Sequence, residues 1–369
     1  MTRPGTSLFD LRQPSTRHPG LDAARGLAVV AMVLGHTLDA LLAPGMREHP
    51  WVQHYWTLRG ITAPLFLLVA GFAVVAALGT SPDSARGSFP RRWRRALLLL
   101  FLGYLLHWPG WGTVQALGWS EALRERLFAF DALQSIGVSL GVGATVLALA
   151  RGTWSRALAL AVLAVGIPLA SPWAWTAVTH APVELRQAVG MPGTRFPLFP
   201  WAGFFFAGAL VAHLLRALRP GWPQGLALVL LGAGLLFTTA RLPSDWSPQS
   251  AWLVAYRVGQ GLLVLGAVNL VPRLFTQPLA PLGRTTLWLY VLHLPVVYGW
   301  SGIAGLAGRV GPVLDLGPAL LVGVALLAVC FALALLARRL RRAGRSWEGQ
   351  SARTRMPPIN GALRPGQRT

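Results

Sequence analysis

Residues Leu21–Leu42 read LDAARGLAVVAMVLGHTLDALL. A helix of about 20 mainly apolar residues crosses the hydrocarbon of a bilayer at 1.5 Å rise per residue. This run has that length. Asp22 and Arg25 stand at its start, and His36 and Asp39 stand near its end. Arg3, Arg12 and Arg17 precede it, and no short core with a small-residue cleavage site follows. The run therefore reads as a membrane anchor that enters from the cytoplasmic side, not as a removable leader.

The rest of the chain repeats this pattern. Of 369 residues, 54% are hydrophobic and 12% charged, with a mean hydropathy of +0.51. Soluble domains carry about twice that share of charge. Ten apolar runs suit spanning helices: 22–43, 58–79, 93–109, 126–150, 154–171, 198–217, 223–240, 251–271, 282–303 and 317–338. The sequence predicts an all-α polytopic bundle of about ten spans. Residues 1–20 form a cytoplasmic segment, 21–338 the membrane domain, and 339–369 a basic disordered tail.

The net charge is +21, carried entirely by arginine, with no lysine. These arginines punctuate apolar runs and form no single basic face, so anionic headgroups suit them better than nucleic acid. With the N-terminus inside, 23 of the arginines fall in inner segments and seven in outer loops. That asymmetry predicts ten helices with both termini cytoplasmic. Trp51, Trp56, Trp108, Trp111, Trp119, Trp173, Trp175, Trp246 and Trp252 fall near the expected outer ends, as an aromatic belt would. Cys330, the one cysteine, lies in an apolar run and reads as packing.

Polar groups inside a membrane helix are costly and are functional candidates by default. Asp22 and Arg25 share a face at the inner mouth, as an anchoring ion pair or as part of a donor site. His36 lies fourteen residues beyond Asp22, about 21 Å along the helix. Asp39 is on the same face and is placed to hold one ring nitrogen of His36 while the other acts as a base. His107 and His293 reach a similar depth from other helices, which suggests a shared polar pocket. Asp131 and Gln134, Arg257 and Gln260, and Arg59 line the outer halves of their helices. Such a cavity suits a hydroxyl-rich acceptor, and equally a transported solute.

On the inner side, Ser88–Arg95 reads SFPRRWRR and sets Arg91, Arg92, Arg94 and Arg95 at one helix mouth, with Arg284 near by in sequence depth. Guanidinium groups bind phosphate in bidentate fashion, so a nucleotide-phosphate donor would dock there. Positive-inside topology explains most of the same charge. The segment Arg195–Trp201, RFPLFPW, resists a helix at its two prolines and fits a rigid outer boundary that presents Trp201 to the acceptor. No Gly-rich phosphate loop, nucleophile elbow or metal-ligand spacing is present.

The opening run resembles the first helix of the heparan-alpha-glucosaminide N-acetyltransferase catalytic-domain family, within the wider group of membrane acyltransferases. PLFLLVAGF at 64–72, FPLFPWAGFFFAGAL at 196–210 and LGRTTLWLYVLHLPVVYG at 282–299 resemble further landmarks in the expected order. The resemblance implies that an acetyl group moves from cytoplasmic acetyl-CoA, the cosubstrate, to a glycan amine or hydroxyl; from the residue spacing, no metal is expected. It implies that His36 is the histidine of the first helical region, with His49 and His54 as runners-up. A multi-pass transporter would use the same residues without covalent chemistry, and a scaffold would use them to lock helices. Paired interrupted helices in two repeats mark many transporters. The single break, before the sixth run, favours the enzyme. Lipids, acyl-CoA and the acceptor are the expected partners, and a bacterial inner membrane is the expected location.

Overall fold

The computed structural model describes residues 18–78, 84–242 and 246–354, and within these the side chains of all but 58–59 and 341–354. The ten apolar runs return as ten helices of thirteen residues or more: α1 (Pro19–Leu41), α2 (Thr62–Ala76), α3 (Ser84–Leu106), α4 (Ala132–Leu149), α5 (Thr153–Ala177), α6 (Leu198–Leu214), α7 (Trp222–Arg241), α8 (Ala251–Leu270), α9 (Thr286–Tyr298) and α10 (Leu316–Thr354). Among the described residues, eight helices are long and apolar enough to cross a membrane, α2 being counted with the helix Pro50–Arg59 that leads into it. The bent pair of α3 and Trp111–Leu117 makes a ninth. The chain is an all-α polytopic bundle, and the one sheet among the described residues is a hairpin pairing Gly299–Trp300 with Ile303–Ala304.

Burial separates the lipid-facing helices from the core. On α5, Leu158, Val162, Val165 and Leu169 form an outward stripe at three- and four-residue spacing, each more than half exposed. In water that stripe would be a liability, whereas lipid covers it without cost. α1, α2, α4 and α6 are largely buried instead. The core centres on α2 against α6, where Leu67, Leu68, Phe72, Phe205 and Phe206 are fully buried. Glycines permit that approach: a Cβ on Gly71 would overlap the Phe205 carbonyl, and one on Gly208 the Leu68 carbonyl. Both obstacles are backbone and cannot rotate aside. Gly71→Ala is expected to lower stability by about 1–3 kcal/mol, seen as a fall in the thermal midpoint of the detergent-purified protein.

Four details differ from the sequence reading. α3 begins at Ser84, two turns before the expected start, and carries Pro90 within it. The fourth run does not begin at 126. A short helix, Glu121–Leu127, precedes it, and α4 starts at Ala132 because Asp131 is its N-cap. The ninth run is interrupted: Leu279–Arg284 is a separate helix, α9 starts after Thr285, and Gly299 ends it with φ +93°. At thirteen residues α9 spans about 20 Å. Finally, α10 continues through the start of the basic tail to Thr354, since adding arginine-rich turns to an existing helix avoids the nucleation cost. Residues 1–17 and 355–369, which hold most of the expected N-terminal segment and half of the expected tail, lie outside the described residues.

Two short helices form a braced cap beside the bundle. Arg124 donates to both carboxylate oxygens of Glu184 at 2.7 and 2.9 Å, and Arg186 pairs with Glu121. The pairs join Glu121–Leu127 to Val183–Val189. The Arg124 hydrogen bond holds the Glu184 carboxyl below the usual carboxylate range.

Candidate active site

A cavity of about 1520 Å³ runs through the bundle and touches both polar ends of α1. It is lined by Arg25, His36 and Asp39 from this one helix. Fourteen residues separate Arg25 from Asp39, so the cavity follows α1 for about 21 Å. Between the ends its walls are apolar, with mostly alanine on one side. α2 and its C-cap contribute Ala63, Phe66, Ala70, Ala73 and Ala77, and α4 with α3 contributes Leu133, Ile136, Leu140 and Leu99.

At one end six arginines converge: Arg25, Arg91, Arg92, Arg95, Arg284 and Arg338. Sequence order brings three of them there at once, because positions 91, 92 and 95 share one side of α3. Arg94, the fourth arginine expected at the donor site, falls on another side and does not line the cavity. Close backbone contact brings in Arg284. A Cβ on Gly283 would overlap the Asp22 carbonyl, and one on Gly26 the Leu279 carbonyl, so α1 and Leu279–Arg284 touch directly. The Arg284 Nε then donates to Asp22 at 3.3 Å, while Arg25 pairs with the other oxygen of the same carboxylate at 3.7 Å. Arg338 donates to the Arg284 carbonyl. Arg92 donates from Nη2 to the Val74 carbonyl at 2.8 Å, and its buried Nη1 has no hydrogen-bond partner among the described residues. A buried guanidinium nitrogen beside a cavity invites an anionic ligand.

At the other end stand His36, Asp39, Trp56, Asp131, Arg195, Trp201, Tyr290 and Tyr298. The His36 Nδ1 lies 2.9 Å from the Tyr298 hydroxyl. His293 sits behind His36, with ring centroids 5.3 Å apart, and is fully buried. Its Nδ1 donates to the Leu289 carbonyl one turn back, at 2.7 Å, which leaves the lone pair on Nε2. That Nε2 is buried and has no hydrogen-bond partner among the described residues. The structure thus brings His36 and His293 together, His36 as a lining residue and His293 as its backing.

The other predicted contacts divide. Asp131 lines the cavity, and its Oδ2 lies 3.8 Å from His107 Nε2. His107 itself is one layer back, its Nδ1 on the Gly103 carbonyl at 2.8 Å. Gln134 does not line the cavity. It is fully buried, its Oε1 accepts from the Asp131 N–H and its Nε2 donates to the Ala129 carbonyl, so the capping box occupies both ends of the amide. Arg257 does not line the cavity. It donates to Gln260 at 2.9 Å and fills the space a side chain would need at Gly60, which does line it. Arg59 is on the helix leading into α2, and its side chain is outside the described residues. His49 and His54 are exposed and do not line the cavity.

Tyr298, Arg195 and Arg338 were not assigned from sequence. Arg195 was visible as a charge beside the two prolines. Tyr298 carries no local signal, because its partner is 262 residues away in the chain.

No curated protein matches the chain. A family model for an acyltransferase domain, Acyl_transf_3, matches residues 18–338, a stretch that contains every residue lining the cavity. With its apolar helices and that match, the protein is an integral membrane acyltransferase, a member of the Acyl_transf_3 acyltransferase-domain family.

Proposed function

We propose that the enzyme takes a short acyl group, acetyl first among them, from a CoA thioester at the arginine mouth and delivers it to a hydroxyl or amine of a glycan or other polar acceptor at the His36 end. The observation that carries this reading is that both ends open into one cavity. Six guanidinium groups against one carboxylate suit the phosphates of a nucleotide-bearing thioester. The apolar walls, alanine-rich along α2 and leucine- and isoleucine-lined on α4, suit an extended pantetheine arm. Trp56, Trp201, Arg195 and Asp131 suit a polar acceptor with apolar faces. The likeness of the first helix to the heparan-alpha-glucosaminide N-acetyltransferase family favours acetyl and a glycan. The high arginine content and the inner bias of arginine favour a bacterial inner membrane with the donor on the cytoplasmic side.

In this mechanism the acceptor oxygen or nitrogen attacks the thioester carbonyl as His36 removes its proton. A new C–O or C–N bond forms, the C–S bond breaks, and the imidazolium returns the proton to the departing thiolate. His293, buried behind His36, backs the ring. Purified protein in nanodiscs, supplied with acetyl-CoA, is expected to release free thiol faster when sugar acceptors are added. The absence of thiol release and of any acylated product across CoA thioesters and acceptors would overturn the reading.

A further inference from the structure

Given the proposed chemistry, on which this inference rests, His36 has to present a lone pair to the acceptor. An imidazole has two nitrogens, and its partner at one decides which tautomer stands at the other. We infer that Tyr298 is the positioning residue for His36: its hydroxyl accepts the Nδ1–H and so keeps the lone pair on Nε2.

The geometry supports a directed contact. The phenol oxygen is 2.9 Å from Nδ1, and the two rings meet edge to face at 87° with centroids 5.5 Å apart. The phenol is therefore aimed at the nitrogen, not stacked on the ring. His293 closes the other side at 5.3 Å and 59°, so the imidazole is held between two rings from α9. A phenol is neutral at physiological pH, and as an acceptor it stabilises the imidazolium without neutralising it. It guides the ring as a carboxylate does in other catalytic pairs, but more weakly.

The chain invests structure in this one hydroxyl. Tyr298 is the last residue of α9, and Gly299 turns the backbone with φ +93° into the hairpin. The hairpin is pinned to the end of α3 by Trp300 Nε1 donating to the Leu105 carbonyl at 2.7 Å and by the Ser301 N–H donating to the Trp108 carbonyl at 3.2 Å. A loop that only had to connect α9 to α10 would need neither anchor. These contacts fix the end of α9, and with it the phenol, against the His36 ring on α1.

Tyr298→Phe tests this with two readouts. In ¹⁵N-histidine spectra, with the His36 signal identified by its loss in His36→Gln, the wild-type protein is expected to show the Nδ1–H tautomer and Tyr298→Phe a mixture of tautomers. In turnover, kcat is expected to fall by about 10- to 100-fold, the range typical of partners that orient a functional imidazole. KM for acetyl-CoA is expected to stay unchanged, because Arg25 is eleven residues, about 16 Å, from His36. Trp300→Phe, which removes one anchor and keeps the phenol, is expected to give a smaller fall in the same direction. Unchanged spectra together with unchanged kcat would overturn the inference, as would a rise in KM alone. If wild-type protein releases no thiol, the proposed function fails, and the spectra still report whether Tyr298 sets the tautomer.

Discussion

His36→Ala is expected to reduce acceptor-dependent thiol release by about 10²- to 10⁴-fold, the contribution of a positioned general base. His36 is the imidazole that lines the cavity, it is half-buried, and it stands among Asp39, Asp131 and Tyr298 at the end remote from the arginines. In the proposed reading the donor binds at groups about 16 Å away along α1, so KM for the thioester is expected to stay near the wild-type value. A parallel fall in kcat and kcat/KM is the pattern of an interaction made in the transition state. Turnover close to wild type in His36→Ala would remove His36 from the chemistry and leave the family assignment intact.

The second large effect concerns the passage itself. Ala63, Phe66, Ala70, Ala73 and Ala77 stand at three- and four-residue spacing on one face of α2 and its C-cap, and all line the cavity. Ala70 lies midway, between the arginine mouth and His36. Ala70→Trp places an indole in the cavity, where the proposed route takes the arm of the donor. Turnover is expected to fall below detection, while the arginine mouth, which the substitution does not touch, still binds CoA in a titration. Ala70→Ser, nearly the same size, is expected to retain turnover. Full turnover in Ala70→Trp would mean that the donor reaches His36 by another route.

Much of this arrangement was legible in the sequence because membrane helices are long apolar runs and polar groups in them are few. α1 shows it most clearly: Asp22, Arg25, His36 and Asp39 stand out against an apolar background, and all but Asp22 line the cavity. The periodicity of α3 separates Arg91, Arg92 and Arg95 from Arg94 once a neighbouring helix defines the inward face. That direction is tertiary information. Capping explains the two differences around α4, the later helix start and the turned-in Gln134. Asp131 and Gln134 look like intramembrane polar groups in a continuous run, yet an acid followed three residues later by glutamine is also a helix start. The break at Thr285 was hidden for a related reason, since an apolar run has the same composition whether its helix is continuous or interrupted. Tyr298 was the least legible, because it reaches His36 only through the pinned hairpin.

One cavity serving both faces of the membrane is the claim on which the rest depends. Sealed proteoliposomes test it, with acetyl-CoA enclosed on the arginine-mouth side and a membrane-impermeant sugar acceptor on the other. The expected result is acetylated acceptor on the acceptor side and free thiol that stays with the donor. Product that forms only when donor and acceptor share a compartment would contradict transfer through the bundle.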